Sequence, residues 1–396
     1  MRGKRKNRGG IFYACYEDLT REVAWTVHIR EVVDNWVKMG RSVTLFCPST
    51  FPFRVPPECR VVYVPTFNIR IVGEYLYLLL LPLYVLFYGM KLKPRVLYCR
   101  EMSLMFFLLV ACKVIGAPTI VEINGFLIDD LKIIGTSSLK IRFFRLMQRI
   151  NFTLAKALVF VSSELKERHV EMYALDVGKT YMVPNGVDTD LFSPGEKGRA
   201  IENISRLGGI ELDPKRSYVT FVGSFYPHSS TTVIVKASKY IVRKRGDVDF
   251  LMIGDGHDLN LCRKIVEENR LSERVLFLGV RPHSEIPDFL RASSALIFVT
   301  TDPKRWGNSM KTLEYMSSGG AVIRNYRTLF DVPLTHGEDF FFIEDVSPKK
   351  LAGAIITLID DHKLRERIGG GARRVIVENF NWRRTATRLL EIIDGL

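Results

Sequence analysis

Short apolar runs alternate with longer segments of helical period along the whole chain. Residues 20–39 place apolar side chains at helical spacing between two such runs, and Gly40 is typical of the residue that ends a helix. Alternation of this kind predicts parallel sheets that are covered by helices on both faces. The predicted strands are residues 10–15, 43–47, 60–64, 96–99, 119–123 and 157–161 in a first series, and 218–222, 250–253, 275–278, 295–299, 321–324 and 340–342 in a second.

The two series predict an α/β protein with two doubly wound, Rossmann-like domains that face each other across a cleft. A turn signal, Pro184-Asn185-Gly186, separates the series. We expect a ligand in the cleft, at the carboxyl ends of the strands. The expected segments are a basic flexible tail at 1–10, an N-terminal domain at 11–184, a C-terminal domain at 185–375, and a last helix at 376–396 that packs back on the first domain.

The composition excludes several classes of protein. With 47% hydrophobic and 25% charged residues, the chain is neither disordered nor collagen-like. The six cysteines are scattered without a Cys-x-x-Cys pair, which argues against a zinc ribbon or a disulfide framework and suits a reducing compartment. The sequence shows no set of metal ligands, so we expect neither a metal nor a cofactor.

The net charge of +14 is concentrated in the first part of the chain. Residues 1–156 hold 23 Lys and Arg against 11 Asp and Glu, a net +12, and five of these cations stand in the tail 1–10. Such a field indicates a nucleic acid, an anionic membrane surface or a phosphorylated substrate. A nucleic acid is the disfavoured partner, because the chain has no known binding module and no aromatic residues among its basic runs.

Two segments of this basic half concern the membrane. Residues 75–90 are uncharged, but 16 residues of helix reach about 24 Å of a ~30 Å hydrocarbon core, so we expect a buried or interfacial helix rather than a span. The helix predicted at 139–157 carries a basic stripe beside an apolar one. It is either a membrane-surface element or a solvated face above a core-facing stripe. The two stripes are Arg142, Arg145, Arg149 and Lys156, and Phe143, Met147, Ile150 and Leu154.

A small polar loop directly precedes the helix that is predicted to begin near Met310. Free N–H groups and the positive dipole end of such a helix suit a diphosphate. Lys311 adds a cation in the first turn, and Glu314 follows one turn later on the same side. Taken alone, the pattern is also that of a capped helix with a surface Glu314–Lys311 ion pair. The loop consists of Gly307, Asn308 and Ser309.

Several segments, taken in order, resemble motifs of the family-4 retaining glycosyltransferases. That family has the GT-B fold of two Rossmann-like domains, and the resemblance covers essentially the whole chain. It implies transfer of a sugar from a nucleotide-sugar donor to an acceptor, with the donor on the C-terminal domain and the acceptor on the N-terminal one. The segments are VEING at 121–125, YMVPNGVDTDLFSP at 181–194, FVGSFYP at 221–227, MIGDG at 252–256, VLFLG at 275–279, WGNSMKTLEYMSSGGAVI at 306–323 and FNW at 380–382.

The resemblance also implies roles for single residues. Glu314 matches the glutamate that accepts hydrogen bonds from the donor's ribose hydroxyls, and Lys311, Arg305 and Glu122 are the expected catalytic residues. Two roles are open for His228: a hydrogen bond to the phosphates, or a cap for the helix from Thr231. The expected donor-binding residues are Gly223, Ser224, His228, Gly307, Asn308, Ser309, Met310 and Glu314.

The chain departs from the family at three positions. Trp306 stands where a first glutamate is common, Ser224 replaces an arginine, and the lysine expected nearby is absent from the loop that holds His228, Ser229 and Ser230. One branch of the family shares the Gly-Ser-Phe turn and a lysine three residues before the glutamate. The candidates to replace the missing cations are Lys304, Arg305 and Lys311.

Fewer acceptor-binding residues can be predicted from the sequence, because EDLTRE at 17–22 stands where the family has a glycine-rich loop. Glu122, Asn124, Gly125 and Asp129 follow a predicted strand and are expected to face the cleft. Glu122 either orients an acceptor hydroxyl or is a buried structural carboxylate that is paired with a basic neighbour.

We therefore expect a glycosyltransferase that makes a lipid-linked or cell-surface glycan precursor and is peripheral on the inner, cytoplasmic face of the membrane. The alternative is a catalytically inactive GT-B protein that acts as a binding subunit.

Overall fold

The computed structural model describes residues 9–20, 24–49, 56–67, 70–102, 104–133, 135–302 and 308–396. The chain forms two compact units. Unit 1 comprises Met1–Asn185 together with Trp382–Leu396, and unit 2 comprises Gly186–Asn381.

Unit 1 is built on a seven-stranded, wholly parallel sheet. Its strands are β1 (Ile11–Ala14), β2 (Val43–Pro48), β3 (Arg60–Val64), β4 (Val96–Arg100), β5 (Thr119–Ile123), β6 (Ala157–Phe160) and β7 (Thr180–Met182). Its helices are α1 (Ala24–Lys38), α2 (Arg70–Leu92), α3 (Phe106–Val114), α4 (Leu127–Ile133), α5 (Ser138–Leu154) and α6 (Ser163–Tyr173). The strand order is β3-β2-β1-β4-β5-β6-β7.

Unit 2 repeats this architecture with a six-stranded parallel sheet and a short antiparallel hairpin. Its helices are α7 (Lys197–Arg206), α8 (Thr231–Val242), α9 (Leu259–Glu268), α10 (Ile286–Arg291), α11 (Met310–Ser317), α12 (Pro348–Asp360) and α13 (His362–Asn379). Its strands are β8 (Ser217–Val222), β9 (Val248–Ile253), β10 (Val275–Gly279), β11 (Ala295–Phe298), β12 (Val322–Arg324) and β15 (Phe341–Phe342), with β13 (Thr328–Leu329) and β14 (Val332–Pro333) in the hairpin. The sheet order is β10-β9-β8-β11-β12-β15.

Both sheets confirm the predicted α/β class of two Rossmann-like domains. The central strands are apolar at successive positions because helices cover both of their faces, so neither face needs polar side chains. Among the described residues, the elements that were not predicted include helix α7, the hairpin β13–β14 and the short edge strand β7.

The last helix, α14 (Trp382–Gly395), belongs to unit 1. The indole N–H of Trp36 in α1 donates to the carbonyl of Ala386 at 3.0 Å, and Arg95 donates to the carbonyl of Asp394 at 2.7 Å. This helix begins later than the expected residue 376, because α13 continues without interruption to Asn379.

Helix α2 is longer than the 16-residue apolar segment that the sequence analysis considered. Residues Val72–Leu92 are long and apolar enough to cross a membrane, so the argument from length against a span was wrong. Only 33% of the apolar stretch of this helix is buried inside the protein. The buried side is anchored on the sheet, where the Tyr77 hydroxyl donates to the carbonyls of Cys15 and Phe46 at 2.9 and 3.1 Å.

Helix α5 corrects the expectation of a core-facing apolar stripe. Phe143 is 48% exposed and Leu154 is 40% exposed. The buried side instead carries Gln148, Asn151 and Phe152, and the Gln148 carboxamide donates to the half-buried Glu101 after β4. The basic stripe is also shorter than expected: the helix ends at Leu154, so Lys156 lies beyond it and only Arg142, Arg145 and Arg149 share the helix.

Three consecutive glycines in α13 differ in the space around them, and this difference yields a stability prediction. A Cβ atom on Gly369 would lie 2.2 Å from the carbonyl oxygen of Gly319, and one on Gly371 would lie 2.1 Å from that of Glu338. A Cβ atom on Gly370 would meet nothing within 4 Å. Gly370→Ala should therefore stabilise the protein by about 1 kcal/mol through helix propensity. Gly369→Ala and Gly371→Ala should each lower the melting temperature, because backbone atoms would have to move.

Thermal unfolding of the three single variants tests this prediction. Similar shifts in all three would contradict the close packing of α13.

Candidate functional site

The turn after β8 packs closely against the first turn of α11. Gly223 has φ of +150°, and a Cβ atom there would lie 2.4 Å from Nζ of Lys311. The Lys311 ammonium group therefore lies directly against this turn, although α11 is far from β8 in sequence. The arrangement places a cation at the turn where Ser224 replaces the family's arginine.

The neighbouring turn after β9 supports the Gly223 turn through its own glycines. A Cβ atom on Gly254 would lie 1.9 Å from the carbonyl oxygen of Gly223, and one on Gly256 would lie 2.6 Å from that of Phe225. The MIGDG segment thus needs glycines because two backbone turns touch. Tyr315 of α11 fixes the same strand end, since its hydroxyl accepts from the Val222 amide at 2.6 Å and donates to the Val222 carbonyl at 3.1 Å.

Lys311 is a desolvated cation. Its Nζ lies 5.2 Å from the ring centroid of Phe221 and 5.6 Å from that of Phe298. Within the described ranges it forms no ion pair with a carboxylate. Burial lowers its pKa to about 8, and nearby Glu314 opposes that change. An anion bound at the turn would restore the favourable environment that the ammonium group lacks.

Glu314 is buried and pairs with a residue that the sequence analysis missed. Its Oε1 lies 2.8 Å from Nε2 of His283. The interpretation of a surface Glu314–Lys311 ion pair is therefore wrong. His283 lies in a short 3₁₀ turn 31 residues earlier in the chain, and no local pattern connects it with α11.

The polar loop before α11 is only partly described. Gly307, Arg305 and Lys304 lie outside the described residues. Asn308 accepts a hydrogen bond from the Phe330 amide at 3.0 Å, so its carboxamide oxygen supports the β13–β14 hairpin. Ser309 occupies the N-cap position and does not cap a backbone N–H, although its hydroxyl lies 3.5 Å from that of Thr312 in the first turn. Met310 is the first helical residue.

Two roles remain open for His228, in the loop between β8 and α8. Ser230, with φ of +50°, is the N-cap residue of α8 and makes no side-chain capping hydrogen bond. His228 lies in the 3₁₀ turn Pro227–Ser229, and its ring stacks on Tyr226 at 5.9 Å between centroids. Ser224 is exposed at the start of this loop. The hydroxyls of Ser229 and Ser230 are buried and have no hydrogen-bond partner among the residues that the structure describes.

In unit 1, Glu122 stands at the centre of a buried network. Its Oε1 lies 2.9 Å from Nε2 of His28 and accepts from Asn124 at 2.7 Å, while Tyr98 donates to Oε2 at 2.6 Å. Burial alone would raise the pKa of Glu122, but His28, Arg100 and the Tyr98 hydroxyl together lower it to about 2. This arrangement is that of a structural carboxylate with a basic partner, and such a weak base is poorly suited to accept a proton at neutral pH.

The residues that were expected on the acceptor side do not all lie in one place. Asn124 and Gly125 line a cavity of about 470 Å³ in unit 1. The prediction that Asp129 faces the cleft is wrong, because α4 turns this side chain toward α6. Asp129 is buried and forms ion pairs with Arg168 and, at 3.4 Å, with Lys132. The next residue, Asp130, lines the cavity instead. Over the described ranges, no group of three or more His, Cys, Asp or Glu side chains could hold a metal ion.

Two family models match the chain, one on each half. The model described as Glycosyltransferase Family 4 matches residues 26–191, and the one described as Glycosyl transferases group 1 matches residues 208–375. The chain belongs to the family-4 glycosyltransferases. The family predicted from the ordered motifs is thereby confirmed.

Curated relatives are a quarter to three tenths identical to this chain over the segments that match. It is 29% identical over 228 residues to a D-inositol 3-phosphate glycosyltransferase of Corynebacterium glutamicum (strain R), covering 56% of this chain and 53% of the relative. It is 27% identical over 279 residues to an Escherichia coli UDP-Gal:alpha-D-GlcNAc-diphosphoundecaprenol alpha-1,3-galactosyltransferase, covering 69% and 68%. The match thus spans about half of the first relative's length.

Solved structures confirm the GT-B fold of the whole chain. Anabaena Alr3699/HepE, solved in complex with UDP and glucose, superposes with a TM-score of 0.73 at 14% identity, covering 98% of this chain and 100% of the other.

The contact between Gly223 and Lys311 yields a prediction for this site. Gly223→Ala should displace the ammonium group and weaken binding of a nucleoside diphosphate by about tenfold, because a charged hydrogen bond contributes ~1.5–3 kcal/mol. Calorimetric titration with a panel of nucleoside diphosphates measures the effect. Gly353→Ala is the matched control, since its Cβ atom would meet nothing within 4 Å. Equal affinities for the two variants would remove Lys311 from the nucleotide site.

Proposed function

We propose that this chain is a retaining glycosyltransferase that moves a sugar from a nucleotide-sugar donor to an acceptor, with unit 2 holding the donor. The observation that carries the proposal is the Lys311 ammonium group at the Gly223 turn, followed one helical turn later by the buried Glu314. A cation and a fixed carboxylate at this spacing suit the diphosphate and the ribose of one nucleotide.

Each group has a distinct part in the proposed reaction. The diphosphate binds at the start of α11, where the N–H groups have no side-chain cap. Glu314 accepts hydrogen bonds from the ribose hydroxyls, and His283 holds the carboxylate in place. Negative charge grows on the diphosphate as the glycosidic bond breaks, and Lys311, already desolvated, stabilises that charge without reorganisation. The acceptor oxygen forms the new bond to the anomeric carbon on the same face of the sugar, and its proton passes to the departing diphosphate oxygen.

Relatives and structural neighbours favour UDP as the first nucleotide to test. The Escherichia coli relative is named for UDP-Gal, and the Anabaena structure contains UDP and glucose. The acceptor of the same relative is a diphosphoundecaprenol-linked sugar, which makes a lipid-linked acceptor the natural first choice here.

The surface of unit 1 supports a location at the membrane. Helices α2, α3 and α5 pack side by side and expose large apolar side chains. Exposed cations stand among them on all three helices. An apolar face with a basic border fits the headgroup region of an anionic bilayer. The apolar residues include Leu79, Leu83, Met90, Phe107, Val114, Leu139 and Leu146, and the cations are Lys91, Lys113, Lys140, Arg142, Arg145 and Arg149.

Glu314→Ala tests the donor site. The variant should bind UDP at least tenfold more weakly, because two ribose hydroxyls lose a charged acceptor worth ~1.5–3 kcal/mol.

Lys311→Ala should lower kcat more than it weakens UDP binding, since the charge it stabilises develops in the transition state. Calorimetry with UDP and turnover of a UDP-sugar panel measure these effects. Unchanged UDP affinity in Glu314→Ala would contradict the donor-site assignment, and UDP binding without turnover of any sugar donor would favour the inactive binding subunit.

Vesicle co-sedimentation tests the membrane location. The combined variant Arg142→Gln, Arg145→Gln and Arg149→Gln should bind anionic vesicles about a hundredfold more weakly at low salt, because each cation contributes ~1 kcal/mol. Removing three exposed cations from unit 2, with Lys264→Gln, Lys349→Gln and Lys350→Gln, is the matched control and should have little effect. Binding that ignores lipid charge, or that falls equally in both variants, would contradict this location.

A further inference from the structure

The cavity of about 470 Å³ in unit 1 lies at the carboxyl ends of β1, β4 and β5. β1 has β2 on one side and β4 on the other, so the chain reverses its progress across the sheet at the β1–β4 pair. Open α/β sheets bind their ligands in the crevice at such a point. The volume also lies in the range of small-molecule sites. The cavity therefore has both the position and the size of a substrate subsite.

Glu101, which lines this cavity directly after β4, is held by side chains from two helices. The Gln148 carboxamide of α5 donates to Oε1 of Glu101, and the Tyr173 hydroxyl of α6 donates to the oxygen of Gln148. Burial raises the pKa of Glu101 to about 7, and the hydrogen bond from Gln148 opposes that change. Near neutral pH, Glu101 can thus accept a hydrogen bond from a hydroxyl group or donate one to it.

The charges of the cavity are opposite to those of the chain around it. Its described lining contains five carboxylic acids and a single cation, Arg100, although residues 1–156 carry a net +12. An anionic group inside would face several carboxylates in a partly desolvated space. Hydroxyl groups would instead find fixed acceptors, with the Asn124 amide beside them. The five acids are Glu17, Glu74, Glu101, Glu122 and Asp130.

We propose that this cavity binds the acceptor through a sugar ring that carries hydroxyl or amino groups and no anionic group, and that Glu101 determines this specificity. The inference rests on the proposed glycosyltransferase function and names the substrate class of its acceptor. It places any phosphate of a lipid-linked acceptor outside the cavity.

Helix α2 connects this cavity with the apolar face of unit 1. Glu74 near its start lines the cavity, whereas Tyr75 and Leu79 are exposed on the same helix. A lipid-linked acceptor would keep its lipid and phosphate at the apolar and basic face while its sugar ring enters the acidic cavity. The basic surface would thus contact the phosphate of the acceptor, and the acidic cavity would bind the sugar ring of the same molecule.

Saturation-transfer NMR on the full chain, saturated with UDP, tests the proposal. The probes are neutral hexoses and hexosamines (glucose, galactose, mannose, N-acetylglucosamine and glucosamine), each beside its 6-phosphate, and glucuronate. We expect millimolar binding of at least one uncharged or amino sugar and at least tenfold weaker binding of its 6-phosphate. Glu101→Gln should weaken the sugar by about tenfold, and Tyr173→Phe should weaken it less. Glu17→Gln should reduce the ratio between the affinity for a sugar and the affinity for its 6-phosphate, because it removes one negative charge from the cavity.

Two controls separate the cavity from other effects. Glu58→Gln removes one exposed carboxylate of unit 1 outside the cavity and should change neither affinity nor discrimination. Glu314→Ala should leave sugar binding intact, so a failure of the donor site can be distinguished from a failure of this proposal. Thermal melting identifies a cavity variant that does not fold, and Glu101→Asp then replaces Glu101→Gln.

The proposal is overturned if a 6-phosphate binds as well as its parent sugar, or if Glu101→Gln and Glu58→Gln behave alike. It is also overturned if no uncharged or amino sugar gives saturation transfer up to about 100 mM, since the binding free energy would then be weaker than about 1.4 kcal/mol.

Discussion

The site in unit 2 depends on the contact of two backbone turns with one lysine. A Cβ atom on Gly254 would lie 1.9 Å from the carbonyl oxygen of Gly223, so this glycine is required by a backbone contact, while the Lys311 ammonium group lies against Gly223 itself. Tyr315 holds α11 at the end of β8 through both polar groups of Val222. In this position Glu314 reaches His283, and Lys311 is half-buried. These groups thus share one region of close packing.

Part of this arrangement could be predicted from sequence, for a definite physical reason. Parallel strands leave a strong local signal, because burial on both faces demands runs of apolar residues, and strand–helix alternation then fixes the fold class. The motifs with the glycine-containing turns, and the motif with Lys311 and Glu314, are each short and local, and they follow one another in the order typical of the family. The family, the two-domain architecture and the helix that carries Lys311 could therefore be predicted from the sequence.

The partners of these residues could not be predicted, because they come from distant parts of the chain. His283 meets Glu314, and His28 meets Glu122, only after folding. Periodicity was also misleading in α5, where the buried side carries Gln148 and Asn151 while Phe143 and Leu154 face outward. Phe152 is buried beside these polar residues, and the arginines of the helix are exposed, so the apolar positions alone did not identify the buried side. The hydrogen bond from Gln148 to Glu101 could not be predicted for the same reason.

The path of the chain has a consequence for biosynthesis. Unit 2 is one continuous segment, Gly186–Asn381, whereas unit 1 is completed only by Trp382–Leu396, which follow unit 2 in the sequence. Trp36 in α1 is fully buried, and its indole N–H bonds to the carbonyl of Ala386. During synthesis from the N-terminus, this tryptophan lacks its partner until the last helix has left the ribosome. The first unit to begin synthesis is thus the last to finish folding, and in the interval its apolar surface is open to aggregation or to a chaperone.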